Sequence, residues 1–298
     1  MEIRRLSREE IEKPRFDGCV HYAPNGNVFG YMWYLDFIAK DWEALVEDNY
    51  QSVFPLVYRP GRLIGKELHQ PLLMRELGIY SVRALSEARI RAFLEAIPEE
   101  YRYIDITLNE RNRPPEDMDF RVSERTNFQL MLNEPYEVLS RRYSDGLQAR
   151  LDRASAAGLL PVTNIKPEAI AAFFKEHTQQ KREVERTFHA VQRVMYNVLH
   201  RGQGFATAIK KNDGDLCAVN FYIFSHSKML SLLPVASPYG REHGALELMT
   251  DLALRSNENR PLLLDFNTEE EAPFARDFGA QPNAYYQIKR DKRVLGLF

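Results

Sequence analysis

Residues 228–280 constrain the fold most, because strand-like and helix-like patterns alternate within this one stretch. It contains a first apolar run, a polar turn, a helix-patterned segment and a second apolar run, at residues 229–236, 237–245, 245–256 and 262–267. This order predicts a sheet packed against helices. Gly244 and Ala245 lie where the helix would begin, and the free N–H groups of a helix start can hold a phosphate. The other interpretation is an ordinary turn before a helix.

The length and composition are those of a globular protein with two domains or one large domain. The chain has 298 residues, of which 44% are apolar and 28% charged. Its net charge is −2, so no overall field would draw it onto nucleic acid or an anionic membrane. Contact with either partner would require a local basic patch.

The two cysteines, Cys19 and Cys217, lie far apart in the sequence and form no CxxC motif. The charged N-terminal residues lack the apolar core of a secretory signal, and no run of eighteen apolar residues predicts a membrane span. We therefore expect a cytoplasmic protein with reduced, buried cysteines, although these observations leave a disulfide open.

Several other segments have recognisable patterns. Residues 212–215 form a strong hairpin turn between two apolar runs, whereas residues 1–30 are interpreted as irregular. Residues 136–158 predict one helix with a weak point at Asp145 and Gly146, and residues 187–200 predict another. Two groups of arginines follow these helical patterns: Arg142, Arg150 and Arg153, and Arg182, Arg186 and Arg193. Each group is either a solvated surface or a contact for phosphates.

The two halves of the chain share an order of elements. A strand, turn, helix and strand occur before Asn109 and again before Asn267, with similar spans but different residues. This predicts a structural duplication. We place the boundary between domains 1–134 and 135–298.

Motifs for several other kinds of site are absent from the sequence. The seven histidines form no HExxH motif and no pair four residues apart, so no metal site is expected. The sequence also lacks the P-loop, the dinucleotide-binding glycine pattern and the nucleophile elbow.

The turn at residues 237–245 resembles the pyrophosphate loop of the GNAT acyltransferases, which bind acyl-CoA. Arg241 and Gly244 match that family's Gln/Arg-x-x-Gly-x-Gly/Ala pattern, while Leu246 stands where the family has a small residue. Residues 272–280 resemble the last helix of the family. This resemblance implies a mixed sheet and a binding site for acyl-CoA at residues 237–245.

The layout of nearly the whole chain resembles tandem-GNAT proteins of the FemAB type. The N-terminal segments that carry this resemblance are WYLD (33–36), WEALV (42–46), VFPL (53–56), HQP (69–71) and ELGIYS (76–81). The resemblance implies an α/β (α+β) fold with two GNAT-like halves, each a mixed, mainly antiparallel sheet flanked by helices. It also implies transfer of an acyl or aminoacyl group, from acyl-CoA or aminoacyl-tRNA, to the primary amine of a small molecule or a peptidoglycan precursor.

Specific residues can be assigned to such a reaction. The resemblance implies that the donor is held by Val235, Arg241, His243, Gly244 and Ala245. A general base is also needed, and the candidates are Asp265 and His69, followed by Glu247. Each has a simpler interpretation: Asp265 as a turn carboxylate, His69 as a partner of a turn, and His243 as an exposed loop residue.

Two positions depart from the family pattern. Many GNAT enzymes have a tyrosine general acid in the last helix, but here Phe274 is followed by Ala275. Leu246 is the second departure. The alternative hypothesis is therefore a catalytically degenerate GNAT-fold protein that binds a ligand without transferring a group.

Overall fold

The computed structural model describes residues 1–61, 65–178, 181–268 and 271–293, and the chain forms two compact units. Unit 1 contains Met1–Arg125 and Ala284–Phe298, and unit 2 contains Thr126–Asn283. The chain passes from unit 1 to unit 2 within one strand and returns within the last strand. The predicted domain boundary after residue 134 stays a prediction.

The elements of the first part of the chain are β1 (Ile3–Ser7), α1 (Lys13–Tyr22), α2 (Met32–Ile38), β2 (Asp41–Glu47), β3 (Ser52–Pro60), β4 (Lys66–His69), β5 (Tyr80–Ser81), α3 (Glu87–Glu95), β6 (Tyr101–Leu108) and β7 (Arg121–Met131). They are followed by α4 (Tyr136–Ser140), α5 (Asp145–Ala156), β8 (Leu160–Val162), α6 (Pro167–His177), α7 (Lys181–His200), β9 (Gly204–Lys210), β10 (Leu216–Ser225), β11 (Lys228–Ser231), β12 (Val235–Ala236), α8 (Pro238–Glu242), α9 (Ala245–Asn257), β13 (Leu263–Asp265), α10 (Pro273–Asp277) and β14 (Gln281–Asp291).

The sheet of unit 1 has the strand order β1-β2-β3-β4-β6-β14. Only β4 and β6 pair in parallel along this order, and the other neighbours are antiparallel. Helix α3 places Ile90, Phe93 and Leu94 in the core beneath this sheet. The N-terminus of α3 is capped by Ser86, whose side chain accepts a hydrogen bond from the Arg89 N–H at 3.3 Å.

The sheet of unit 2 has the strand order β7-β13-β11-β10-β9-β8. Only β11 and β13 pair in parallel, and the other neighbours are antiparallel. The largest side chains of its core include Phe128, Tyr222 and Phe278. Each unit thus has a mixed, mainly antiparallel sheet with helices, which confirms the predicted fold class.

The structure bears out the hairpin and corrects other segments. Strands β9 and β10 flank the predicted turn. The predicted helix at 136–158 is two helices, because the chain turns at residues 141–144 and Ser144 caps α5 by accepting from the Leu147 N–H. The N-terminal thirty residues contain β1 and α1. The sequence did not predict them, because β1 is rich in charged residues and α1 is only weakly amphipathic.

Candidate functional site

The two units share an arrangement of strands around one parallel pair. In unit 1, β4 runs parallel to β6, and β5 pairs with β3 beyond the end of β4. In unit 2, β11 runs parallel to β13, and β12 pairs with β10 beyond the end of β11. A helix follows the short strand in each unit, so the two arrangements correspond element by element.

Unit 1 continues its parallel pairing past the end of β4. The Gln70 side chain substitutes for a strand residue: its Nε2 donates to Thr107 O at 2.8 Å, and its Oε1 accepts from Thr107 N at 2.7 Å. Leu77 then pairs with β6, donating to Thr107 O and accepting from Asn109 N, both at 2.9 Å. The position beside β6 is therefore filled by the chain itself.

The described residues of unit 2 show no such continuation, because the chains of its parallel pair turn away from each other. After β11, Leu232 N donates to Phe221 O and Leu233 N to the Asn220 side chain, both on β10. After β13, Phe266 N donates to Phe128 O on β7. In the described part of the chain, β12 is paired on its β10 side only. We call the place between β12 and residues 266–268, where no described backbone hydrogen bond joins the two segments, the unit 2 split.

Asp265 lies at the closed end of the unit 2 split, as the last residue of β13. Its side chain is buried and accepts hydrogen bonds from Asn127 Nδ2 (2.9 Å), Gln129 Nε2 (3.2 Å) and Asn267 N (2.8 Å). The hydrogen bond from Asn267 N, two residues later, is the contact expected if Asp265 is simply a turn carboxylate. The bonds from β7 hold the carboxylate in one orientation.

Residues predicted to hold a donor line the chain from β12 to α9. Val235 is buried and pairs with Val219 of β10. The predicted turn at 237–245 contains the short helix α8, which begins at Pro238 and is capped by the Ser237 side chain. The Arg241 guanidinium donates to Ala236 O at 2.6 Å, so it lies back against β12.

The first turn of α9 packs against α5. Gly244 has φ +72°, and a Cβ placed on it would lie 2.6 Å from the backbone oxygen of Arg150. Ala245 is fully buried. The His243 ring stacks on Tyr239 with centroids 4.0 Å apart, and its Nδ1 lies 3.0 Å from Tyr239 O. Gly244 is therefore required both for its conformation and for the approach of α5.

The arginines of the helix predicted at residues 136–158 bind acceptors within unit 2. Arg150 Nε lies 3.0 Å from a Glu247 carboxylate oxygen, and Arg150 Nη2 pairs with Asp277. Arg142 pairs with Glu134, and Arg153 Nη1 donates to Glu242 O. On α7, Arg182, Arg186 and Arg193 are exposed, opposite a buried apolar face.

The strand β10 carries a buried asparagine that the sequence patterns did not single out. Asn220 Nδ2 donates to Ser231 Oγ at 2.8 Å, and its Oδ1 accepts from Leu233 N at 3.0 Å, which holds β11 at the point where the chain turns. Burial raises the pKa of the neighbouring Tyr222 to about 12, although hydrogen bonds with Asn220 and Thr250 act in the opposite direction. In the sequence, the signal that could have identified Asn220 is a single amide side chain within an apolar strand.

The three candidate bases are divided between the two units. His69 is the last residue of β4 in unit 1, is partly buried and is in register with Asp105 of β6. Asp265 and Glu247 belong to unit 2.

Within the described ranges, no helix is long and apolar enough to cross a membrane. The same ranges contain no group of three His, Cys, Asp or Glu side chains placed to hold a metal ion.

Comparisons with known proteins match the chain through its fold. No family model matches it, and a search of curated proteins found no significant match. The similar solved structures include FemX, at 12% identity and a TM-score of 0.60 over 96% of this chain and 97% of that chain. A tandem GNAT protein from the clavulanic acid biosynthesis pathway, without AcCoA, has 13% identity and a TM-score of 0.56 over 97% and 98%.

A third similar structure is L-PGS from Bacillus licheniformis, with 11% identity and a TM-score of 0.54 over 95% of this chain and 93% of that chain. Identities this low establish the fold alone. The chain has the tandem-GNAT fold of the FemAB type, and its two units are GNAT-like halves.

Proposed function

We propose that this protein is an N-acyltransferase that moves an acyl or aminoacyl group from a carrier to a primary amine. The side of β12 away from β10 carries this proposal, because an extended carrier arm can add there as a further strand once Arg241 releases Ala236 O. In unit 1, Gln70 and Leu77 fill the corresponding position. We therefore assign the donor to unit 2, with Val235 on the strand that it would join.

The reaction would join the amine nitrogen to the carbonyl carbon of the donor. The amine gives one proton to a base, and the carrier leaves as a thiol or an alcohol. Asp265 is our first candidate for the base, since its carboxylate lies at the closed end of the split and is held by three N–H donors. His69 of unit 1 is the second candidate, and Glu247 follows it.

The choice between acyl-CoA and aminoacyl-tRNA depends on the first turn of α9. A CoA pyrophosphate held by the N–H groups of Gly244 and Ala245, with Arg241 and His243 nearby, would lie beside the Arg150 backbone, which packs against Gly244. It would also meet the Glu247 carboxylate, which Arg150 neutralises at present.

The packing therefore favours aminoacyl-tRNA as the donor. The exposed arginines of α7, Arg182 and Arg186, are the side chains that we propose for its phosphates. The acceptor would be a small-molecule amine or a peptidoglycan precursor.

A second candidate function is ligand binding without group transfer. Ala275 supports it, because this fully buried residue of α10 stands where many GNAT enzymes have a tyrosine acid. In that case the unit 2 split would bind an extended ligand, and no chemical step would follow.

Two measurements separate these proposals. Filter binding with aminoacyl-tRNA and calorimetry with acetyl-CoA would test the carriers, and we expect binding of the tRNA only. Acetyl-CoA binding that survives Gly244→Trp would place CoA away from α9, whereas binding of neither carrier would reject the transferase.

A single-turnover assay with charged tRNA and an amine acceptor would then test Asp265. Asp265→Asn should lower the transfer rate about 10²–10⁴-fold without weakening tRNA binding. Asp213→Asn is the matched control, because Asp213 is exposed in the hairpin turn. Tight binding of tRNA by a wild-type chain that transfers nothing to any amine tested would favour the second candidate function.

A further inference from the structure

Unit 1 contains a cavity of about 610 Å³ between the first turn of α3 and the loop at residues 111–117. The α3 wall is anchored in the core by Ile90 and Phe93. The loop is anchored by Asn112, which is fully buried: its Oδ1 accepts from Ile79 N at 2.5 Å, and its Nδ2 donates to Ile79 O at 3.2 Å. Because both walls are held by buried contacts, the cavity is formed before any ligand arrives.

The lining of this cavity combines apolar and charged residues. Four apolar side chains form part of the lining: Leu85, Ile90, Pro114 and Pro115. The charged residues of the lining are Arg111, Arg113, Glu87, Glu116 and Asp117. A ligand that fits this cavity therefore has an apolar part and charged groups of both signs.

Some of these charges are already paired within unit 1. Asp117 and Glu87 both pair with Arg91, at 2.5 Å and 3.4 Å, and Arg113 lies 3.4 Å from Glu116. The Arg111 guanidinium has no carboxylate partner in the described part of unit 1, and its backbone N–H is fixed by Asn109 Oδ1 at 3.2 Å. Arg111 is thus an exposed cation on a fixed backbone, and its guanidinium is available for a ligand.

We infer that this cavity binds an amino acid or the C-terminal end of a short peptide with an apolar side chain. The ligand carboxylate would pair with Arg111 in the bidentate geometry that guanidinium favours. Its apolar side chain would cover Leu85 and the two prolines, and in a free amino acid the ammonium group would face Glu87. This site is separate from the unit 2 split and does not depend on the transfer reaction.

Calorimetric titration of the full chain with L-leucine and L-leucinamide tests the inference. We expect saturable binding of leucine and at least roughly tenfold weaker binding of leucinamide, which lacks the carboxylate. Arg111→Ala should weaken leucine binding by a similar factor. Arg182→Ala is the matched control, since Arg182 is exposed on α7 of unit 2, and it should bind leucine like the wild type.

Three results would overturn the assignment. They are the absence of saturable leucine binding up to about 10 mM, leucinamide binding as tight as that of leucine, and unchanged affinity in Arg111→Ala. Because leucinamide probes the same interaction without altering the protein, the test stands even if the Arg111 variant folds poorly. Melting temperatures of both variants would establish that folding is retained.

Discussion

Replacing Gly244 with alanine tests whether α5 lies against the first turn of α9. The left-handed backbone at Gly244, with φ +72°, costs an L-residue about 1–2 kcal/mol. The new Cβ would also lie 2.6 Å from Arg150 O, and such overpacking costs about 1–3 kcal/mol. Alanine also restricts the unfolded chain more than glycine does, which offsets about 0.4–1 kcal/mol of this loss in stability. We therefore expect Gly244→Ala to lower the free energy of unfolding by about 2–4 kcal/mol.

Urea denaturation followed by circular dichroism measures this loss, and Gly202 supplies a matched control. Gly202 has φ +63°, and a Cβ there would meet nothing within 4 Å. Gly202→Ala should therefore carry the backbone cost alone, about 1 kcal/mol. Equal losses in the two variants would show that α5 does not restrict this site, and they would remove our reason for preferring aminoacyl-tRNA over acyl-CoA.

Three further predictions concern stability and reactivity. Because the pKa of Tyr222 is about 12 in the folded chain, the unfolded chain loses this proton first as pH rises above about 10. Wild-type stability should fall by roughly 1.4 kcal/mol per pH unit more steeply than that of Tyr222→Phe between about pH 10 and 12, as measured by urea denaturation; parallel pH profiles would contradict this. Asp251→Ala should lose about 2–4 kcal/mol in the same assay at neutral pH, since the buried carboxylate accepts from two tyrosine hydroxyls and a guanidinium; a loss below about 1 kcal/mol would show that these bonds contribute little. Burial raises the pKa of Cys19 to about 12 and that of Cys217 to about 11, so Ellman's reagent at neutral pH should label both thiols only after unfolding; rapid labelling of the folded chain would contradict their burial.

Local patterns predicted the elements whose signals lie within a few residues. The hairpin between β9 and β10 follows from a turn sequence with a left-handed glycine, Gly214, at φ +98°. Helix α8 has a local signal in Ser237 and Pro238, a capping residue followed by proline, although the resemblance to a phosphate loop favoured a turn. The break at residues 141–144 lies just before the predicted weak point at Asp145 and Gly146, with which α5 begins. One helix was predicted because the helical pattern continues on both sides.

The sequence predicted the order of the elements around the candidate site but not the contacts of its residues. The order of β12, α8 and α9 placed Val235, Gly244 and Ala245 in succession, as expected. The partners of Asp265 could not be predicted, because Asn127 and Gln129 come from a strand far away in the chain. Their roles depend on the register between β7 and β13, for which no local pattern exists.

The sequence by itself determined the alternation of strands and helices and the repetition of that order in two halves. Only the tertiary structure decided that the parallel pairing is continued in unit 1 and divides in unit 2. It also decided that α5 packs against the start of α9. The physical reason is that strand pairing and helix contact are set by hydrogen bonds and side-chain packing between distant segments, whereas sequence periodicity reports only which face of each element is buried.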